Sequence, residues 1–325
     1  MADRLLEVRG LRVAYASDRG PVIPVDSVDL DLDRGEFLAI VGESGCGKST
    51  LLYAIARLLG PPNAGEIIGG SIVFRGQEMA TLDEQHLRHI RWRELSVVMQ
   101  SAMNALNPVL SIGSQLEDAC RAHSTMGKRE IAERSQDVLR LVGIDPIHLR
   151  SYPHQLSGGM RQRAMIAMAL LFTPDLVIMD EPTSALDVVA QRSLMKQIRE
   201  LQDRLGFAVV FVTHDMSLVS HFSDRLVVMY AGEIVEVAAT RQCFDNPLHP
   251  YTQGLLDAFP SIRGPKKHLL GIPGAPPDLA RPPAGCRFAP RCPQRTERCE
   301  TPPPVVEVDG DRVRCVLYDR AEVAV

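Results

Sequence analysis

The stretch Gly42-Glu-Ser-Gly-Cys-Gly-Lys48-Ser49 has the residue types and spacing to hold a phosphate, fitting G-x-x-x-x-G-K-[ST] without a mismatch. It follows an apolar strand pattern and opens a helical one, the context that the motif requires. Backbone N–H groups along Gly42, Ser44, Gly45, Cys46 and Gly47 can turn onto phosphate oxygens. The helix N-terminus at Lys48, Ser49 and Thr50 adds a favourable dipole. Lys48 is then placed to bridge β- and γ-phosphates, and the Ser49 hydroxyl to ligate Mg²⁺. Alone, the loop says only that a nucleotide binds.

Leu176-Val-Ile-Met-Asp180-Glu181 supplies a second half. A buried strand would end with Asp180 beside the metal, where a carboxylate can hold a Mg²⁺ water. Glu181, on the other side of the strand, could polarise an attacking water. Paired acids after a strand also cap helices, so the phosphate loop is what gives these two their meaning. Ser157-Gly158-Gly159 precedes a strong helix and forms another anion-ready N-terminus, although such a tripeptide in isolation reads as an ordinary N-cap. One nucleotide needs one phosphate loop. A second anion site therefore points to a nucleotide shared between two chains.

Positioning these residues takes alternating strands and helices. Phe37–Val41, Leu95–Met99, Leu176–Met179, Ala208–Val212 and Leu226–Met229 read as strands buried on both faces. Ser49–Leu59, Val188–Leu205 and Asp215–Phe222 read as amphipathic helices among them. The alternation predicts an α/β domain on a largely parallel sheet. Leu5–Val13 and Val25–Leu32 alternate polar with apolar, as in a smaller antiparallel layer. A helix-rich insert is expected over 102–159, with Ile131, Ser135, Val138, Leu139 and Val142 at helical spacing and Gly143 suited to a C-cap. Beyond Asn246 proline becomes dense and disfavours regular helix or central strand. The expected division is therefore residues 1–245 and an irregular appendage, 246–325.

The 325 residues carry a net charge of −4, so no basic field for nucleic acid or anionic lipid is visible. Hydrophobic content of 45% and charged content of 23% argue against long disorder. The longest apolar run, Ala164–Phe172, is nine residues, short of the ~18–20 that span a bilayer. The opening residues form no secretory signal, and seven cysteines are too few for a disulfide scaffold. Four of them, Cys286, Cys292, Cys299 and Cys315, crowd into the appendage with five, six and fifteen residues between them. Those gaps are unlike the short knuckles of structural zinc. Four thiolates in a proline-stiffened, coreless segment suggest a metal centre standing in for a core. Arg287, Arg291, Arg295 and Arg298 lie among them, where their charge could offset it. Spacing and a reducing compartment leave iron–sulfur, zinc and free thiols open.

Over residues 5–260 the chain resembles the ATP-binding subunits of ATP-binding-cassette (ABC) transporters. The phosphate loop, the Leu156–Met160 signature and Asp180-Glu181 stand in family order with Gln100, Ala185-Leu-Asp187 and His214. Tyr15, 27 residues before the loop, is similar to the family's aromatic that stacks on adenine. Met160 stands where the signature commonly has Gln, with Ser157-Gly-Gly159 kept. The resemblance implies an ABC-type nucleotide-binding domain, with a parallel-sheet P-loop core, an antiparallel β layer, a helical insert and a Cys/Pro-rich appendage. It implies ATP and Mg²⁺ as ligands, with Ser49, Gln100 and Asp180 around the metal and Asp187 in the loop between nucleotide-sharing chains. Glu181 would be the general base, His214 would bond the γ-phosphate, and Gln100 would also sense membrane subunits.

Asn246-Pro-Leu-His249-Pro250-Tyr251 resembles the hallmark of the peptide and nickel importer branch. Within that branch the spaced cysteines imply a [4Fe–4S] cluster, with zinc the alternative. The implied machine imports di- or oligopeptides, nickel or oligosaccharides being the alternatives. It would join this chain, on the cytoplasmic face of the membrane, to a second and unlike ATPase subunit, two transmembrane permeases and an extracytoplasmic solute-binding protein. No nucleic acid partner is implied. A soluble cassette ATPase acting on DNA or ribosomes is the rival, opposed by the single phosphate loop, the lack of heptads and the acidic charge. Glu181 and His214 oppose a subunit that binds ATP without turnover.

Overall fold

A computed structural model describes residues 3–18, 20–60, 65–100, 105–184, 186–258 and 271–319. Ala102, at the expected start of the helical insert, and Ala185 lie outside them. Chain contacts divide the described residues into two units. One, the loop unit, takes residues 6–31, 38–80 and 213–319; the other, the acid unit, takes 3–5, 32–37 and 81–212.

The loop unit takes most of β1 (Arg4–Tyr15) and of β2 (Val22–Asp33). Beyond Leu5, buried positions in β1 run Leu6, Val8, then Leu11, Val13, switching from even to odd numbers. A bulge between Arg9 and Arg12, with Gly10 at φ +54°, absorbs one residue and keeps both pairs on one face. β3 (Phe37–Val41) is buried at all five positions and leads through the phosphate loop into α1 (Lys48–Ile55). β4 (Gly65–Phe74) pairs antiparallel with β1, and β5 (Gln77–Glu78) with β4. The order β2-β1-β4-β5 is the antiparallel layer that the alternation predicts.

The acid unit runs α2 (Glu84–Ile90), β6 (Leu95–Val98), α3 (Ile112–His123), α4 (Lys128–Leu141), α5 (Gly158–Ala169), β7 (Leu176–Asp180), α6 (Val188–Leu205) and β8 (Ala208–Val212). β6, β7 and β8 pair in parallel. Their apolar residues are buried almost throughout, and each fully buried Val, Leu or Ile contributes about 1.5–3 kcal/mol. In the insert, α4 buries Ile131, Ser135, Val138 and Leu139. Val142 is its C-cap, and Gly143, at φ +68°, turns the chain out.

The loop unit resumes with α7 (Met216–Phe222), β9 (Arg225–Tyr230) and β10 (Glu233–Ala239). β9 pairs in parallel with β3 and antiparallel with β10. Then come α8 (Thr240–Asp245) and α9 (Pro250–Asp257), where Pro250 occupies the first turn that tolerates it. The proline-dense tail is less irregular than expected. β11 (Val305–Val308) and β12 (Asp311–Arg314) form a hairpin, and β12 pairs with β10. The reason is local: the prolines stop at Pro304, and Asp309-Gly310 takes positive φ at both positions, as a two-residue hairpin turn needs. Among the described residues no helix is long and apolar enough to cross a membrane.

Candidate nucleotide-binding site

The phosphate loop leaves β3 at Val41 and enters α1 at Lys48. Its path is open only to glycine at two points. Gly47 sits at φ +108°, where a Cβ would lie 1.8 Å from the Pro24 carbonyl oxygen. A Cβ on Gly42, at φ +151°, would lie 2.2 Å from the Met229 carbonyl oxygen. The Lys48 ammonium is buried and donates to the Gly42 and Glu43 carbonyls at 2.8 Å each, so it braces the loop from inside. Burial pushes the Cys46 thiol up, with Lys48 beside it pulling the other way. Ser44 and Gly45 form an exposed tip, while Ser49 and Thr50 are half-buried in the first helical turn. Tyr15 ends β1 opposite Gly65, and a Cβ on that glycine would come within 2.8 Å of the ring. His214 is exposed, just before α7.

In the acid unit, Asp180 closes β7 and is 1% exposed. Glu181 follows at φ +46°, a region that non-glycine residues seldom adopt. Its N–H donates to the Val212 carbonyl at 3.0 Å, which fixes the turn. Gln100, two residues beyond β6, donates from Nε2 to Glu181 Oε2 at 2.9 Å. Ser157 is exposed and caps α5, its hydroxyl accepting from the Met160 N–H at 3.2 Å, with Gly158 and Gly159 in the first turn. Asp187 caps α6 in the same way, accepting from Ala190 at 2.9 Å.

The four tail cysteines gather in one region. Burial raises Cys286 to about 11, with Cys299 and Cys315 adding to the shift. Cys292 is raised by burial and by Cys299; Cys315 is raised by burial and by Cys292 and Cys299. Even so, among the described residues no group of three His, Cys, Asp or Glu side chains is arranged to hold a metal ion. The arginines expected to offset thiolate charge pair with carboxylates. Arg287 meets Asp26 and Glu233, Arg291 meets Glu43, Arg295 meets Glu300, and Arg298 meets Asp319. Desolvation favours the neutral form of the Cys286, Cys292 and Cys315 thiols, and the guanidinium groups pair with carboxylates instead.

The His-Pro-Tyr turn reaches the phosphate loop. Buried Glu236 accepts from the Leu248 and His249 N–H groups at 2.9 and 2.8 Å. His249 Nδ1 accepts from the Tyr251 N–H at 3.0 Å, and burial holds this histidine down at about 3, hence neutral. The Tyr251 hydroxyl accepts from the Glu43 N–H at 2.9 Å. Glu43 fills a position that the phosphate-loop motif leaves open to any residue, Arg291 lies outside every motif, and residue type alone gives neither a role at the loop.

Similarity to known proteins follows this geometry. A family described as ABC transporter matches residues 25–184. A dimeric post-hydrolysis ATP-binding cassette bound to ADP and Pi superposes with a TM-score of 0.64 at 28% identity, covering 73% of this chain and 99% of that one. A second dimeric structure, of a bacterial ABC transporter cassette, gives the same values. The class is therefore an ABC-type ATPase. Residues 235–299 match a family described as oligopeptide/dipeptide transporter, C-terminal region. The dipeptide transport ATP-binding protein DppD of Bacillus subtilis (strain 168) is 43% identical over 99% of this chain and 98% of its own length. The oligopeptide transport ATP-binding protein OppD of Escherichia coli (strain K12) is 42% identical over 96% of this chain and 93% of its own. This chain belongs to the ABC transporter ATP-binding subunits that carry the oligopeptide/dipeptide transporter C-terminal region.

Proposed function

We propose that the chain is the ATP-hydrolysing subunit of an importer that brings di- or oligopeptides into the cell. The observation that carries this is its end-to-end similarity to a dipeptide transport ATP-binding protein, appendage included. In this reading it sits peripherally on the cytoplasmic face of the membrane. It works with a second, non-identical ATPase subunit, two permeases and an extracytoplasmic solute-binding protein.

The phosphate loop cradles the ATP phosphates, Lys48 turns from its loop carbonyls to the β- and γ-phosphates, and Tyr15 stacks on adenine. Ser157–Gly159 and Asp187 meet the nucleotide held by the partner subunit. Glu181 takes a proton from the water that attacks the γ-phosphorus, as the bond to the departing ADP oxygen breaks. Support for that role is the bond from Gln100, which orients the carboxylate. His214 bonds the γ-phosphate. Ser49, Gln100 and Asp180 offer hard oxygen donors suited to Mg²⁺, which when bound neutralises charge developing on the phosphates.

The four tail thiols would hold a [4Fe–4S] cluster. What supports a shared centre is that these thiols lie near enough to influence one another; zinc is the alternative. About four irons per chain are expected in anaerobically purified protein; one zinc and no iron would refute the cluster. The function itself is tested by deleting the gene and measuring uptake of a labelled dipeptide. Uptake should be lost, then restored by the wild-type chain and not by Lys48→Ala. Unchanged peptide uptake with lost nickel or oligosaccharide uptake would select the alternative cargo.

A further inference from the structure

We propose that the C-terminal appendage braces the phosphate loop, with Arg291 and Tyr251 as positioning residues that hold Glu43 and thereby set nucleotide affinity. The proposal rests on reading residues 42–49 as the cradle for ATP phosphates. Glu43 is the second residue of that loop and is gripped twice. Arg291 donates from Nη1 and Nη2 to its two carboxylate oxygens at 2.7 and 2.9 Å, a forked pair that fixes the side chain in direction as well as distance. The Tyr251 hydroxyl takes its backbone N–H at 2.9 Å. Side chain and main chain of one loop residue are therefore both held by the appendage.

Each gripping residue is itself fixed. The Arg291 side chain is 6% exposed, donates to the Ile272 and Pro273 carbonyls and the Tyr230 hydroxyl, and lies over the Tyr230 ring. Tyr251 is fully buried, packed on Tyr230 at 4.6 Å and on Phe288 at 5.4 Å between ring centroids. Its backbone is set by the His249 turn, which hangs on Glu236. Pro276–Leu279 line, together with Ser44–Cys46, a pocket of about 350 Å³, so the appendage also runs beside the exposed tip of the loop. A loop whose N–H groups must converge on phosphate binds in proportion to the time it spends in that shape. If losing the brace reduces the competent fraction to about one-tenth, the apparent affinity falls about tenfold.

The experiment titrates the full-length chain with a fluorescent ATP analogue, reading affinity and number of sites separately. Glu43→Gln and Arg291→Gln should each weaken affinity about tenfold, since each breaks the same fork. The double variant should be no weaker than the weaker single one, and Arg291→Lys, which keeps the charge, should recover part of the loss. A contact that only holds the appendage on would lower the number of competent sites without changing their affinity. Wild-type affinity in Glu43→Gln, or losses that multiply in the double variant, would overturn the brace. If Arg291→Gln fails to fold, Glu43→Gln decides alone, because it keeps the residue's size and leaves Arg291 its carbonyl acceptors. Lys48→Ala separates the two ideas: binding retained there refutes the cradle itself, while binding lost there and unchanged in Glu43→Gln refutes only the brace.

Discussion

Replacing Glu181 by Gln separates the chemistry of this carboxylate from its place in the structure. The side chain accepts from Gln100 Nε2 at 2.9 Å. In the variant the amide oxygen can accept the same bond, so the shape is kept. The bond changes from charge-assisted to neutral, worth about 1 kcal/mol less, which alone slows the reaction about fivefold. Losing the general base costs about 10²–10⁴ in rate, or about 2.7–5.4 kcal/mol. The two roles thus predict losses well apart. The assay is phosphate release by the assembled transporter at saturating ATP, with nucleotide binding measured in parallel. Binding should be retained and turnover should fall at least a hundredfold. Gln100→Ala keeps the base but removes this bond together with an oxygen donor for Mg²⁺, so turnover should fall about tenfold or more. Turnover of Glu181→Gln within tenfold of wild type would sink the assignment of Glu181 as base.

Gly47→Ala should abolish binding of a fluorescent ATP analogue, because its Cβ would lie 1.8 Å from the Pro24 carbonyl oxygen. Gly45→Ala, at φ +78° with nothing within 4 Å, should cost only about 1–2 kcal/mol of strain and keep measurable affinity. Equal affinities in the two variants would contradict the loop packing. His249 is held down to about 3 by burial, so between pH 6.5 and 3 the unfolded chain binds a proton that the folded chain does not, and stability falls as pH falls. At pH 5 this amounts to about 2 kcal/mol. His249→Asn, whose side chain can still accept the Tyr251 N–H, should flatten the denaturation midpoint between pH 7 and pH 5 by that amount; an unchanged slope would show that His249 is not the titrating group.

Local pattern made much of this molecule legible. The strands at Phe37–Val41, Leu176–Asp180 and Ala208–Val212 announce themselves because a strand buried on both faces must be apolar at every position. The helix Val188–Leu205 reads from its spacing and from Asp187 and Gly206 at its ends. The phosphate loop is legible for a harder reason: at Gly42 and Gly47 a neighbouring carbonyl leaves no room for a side chain, so packing is written into residue type. The tail hairpin also had a local signal, Asp309-Gly310 between valine-bearing runs, masked by the prolines before it.

Partner choice among charges lay outside any local pattern. Arg291 sits next to Cys292 in the chain and reads as a counter-ion for thiolates, yet its partner is Glu43, 248 residues away. The even-to-odd switch in β1 likewise depends on a bulge defined by pairing with β4. Residue types and periods determined the class, the loop and the acid pair of this ATPase. Only tertiary structure decided what holds the loop still, because a charged side chain takes whichever ionised partner the fold brings within reach, and sequence distance does not enter that energy.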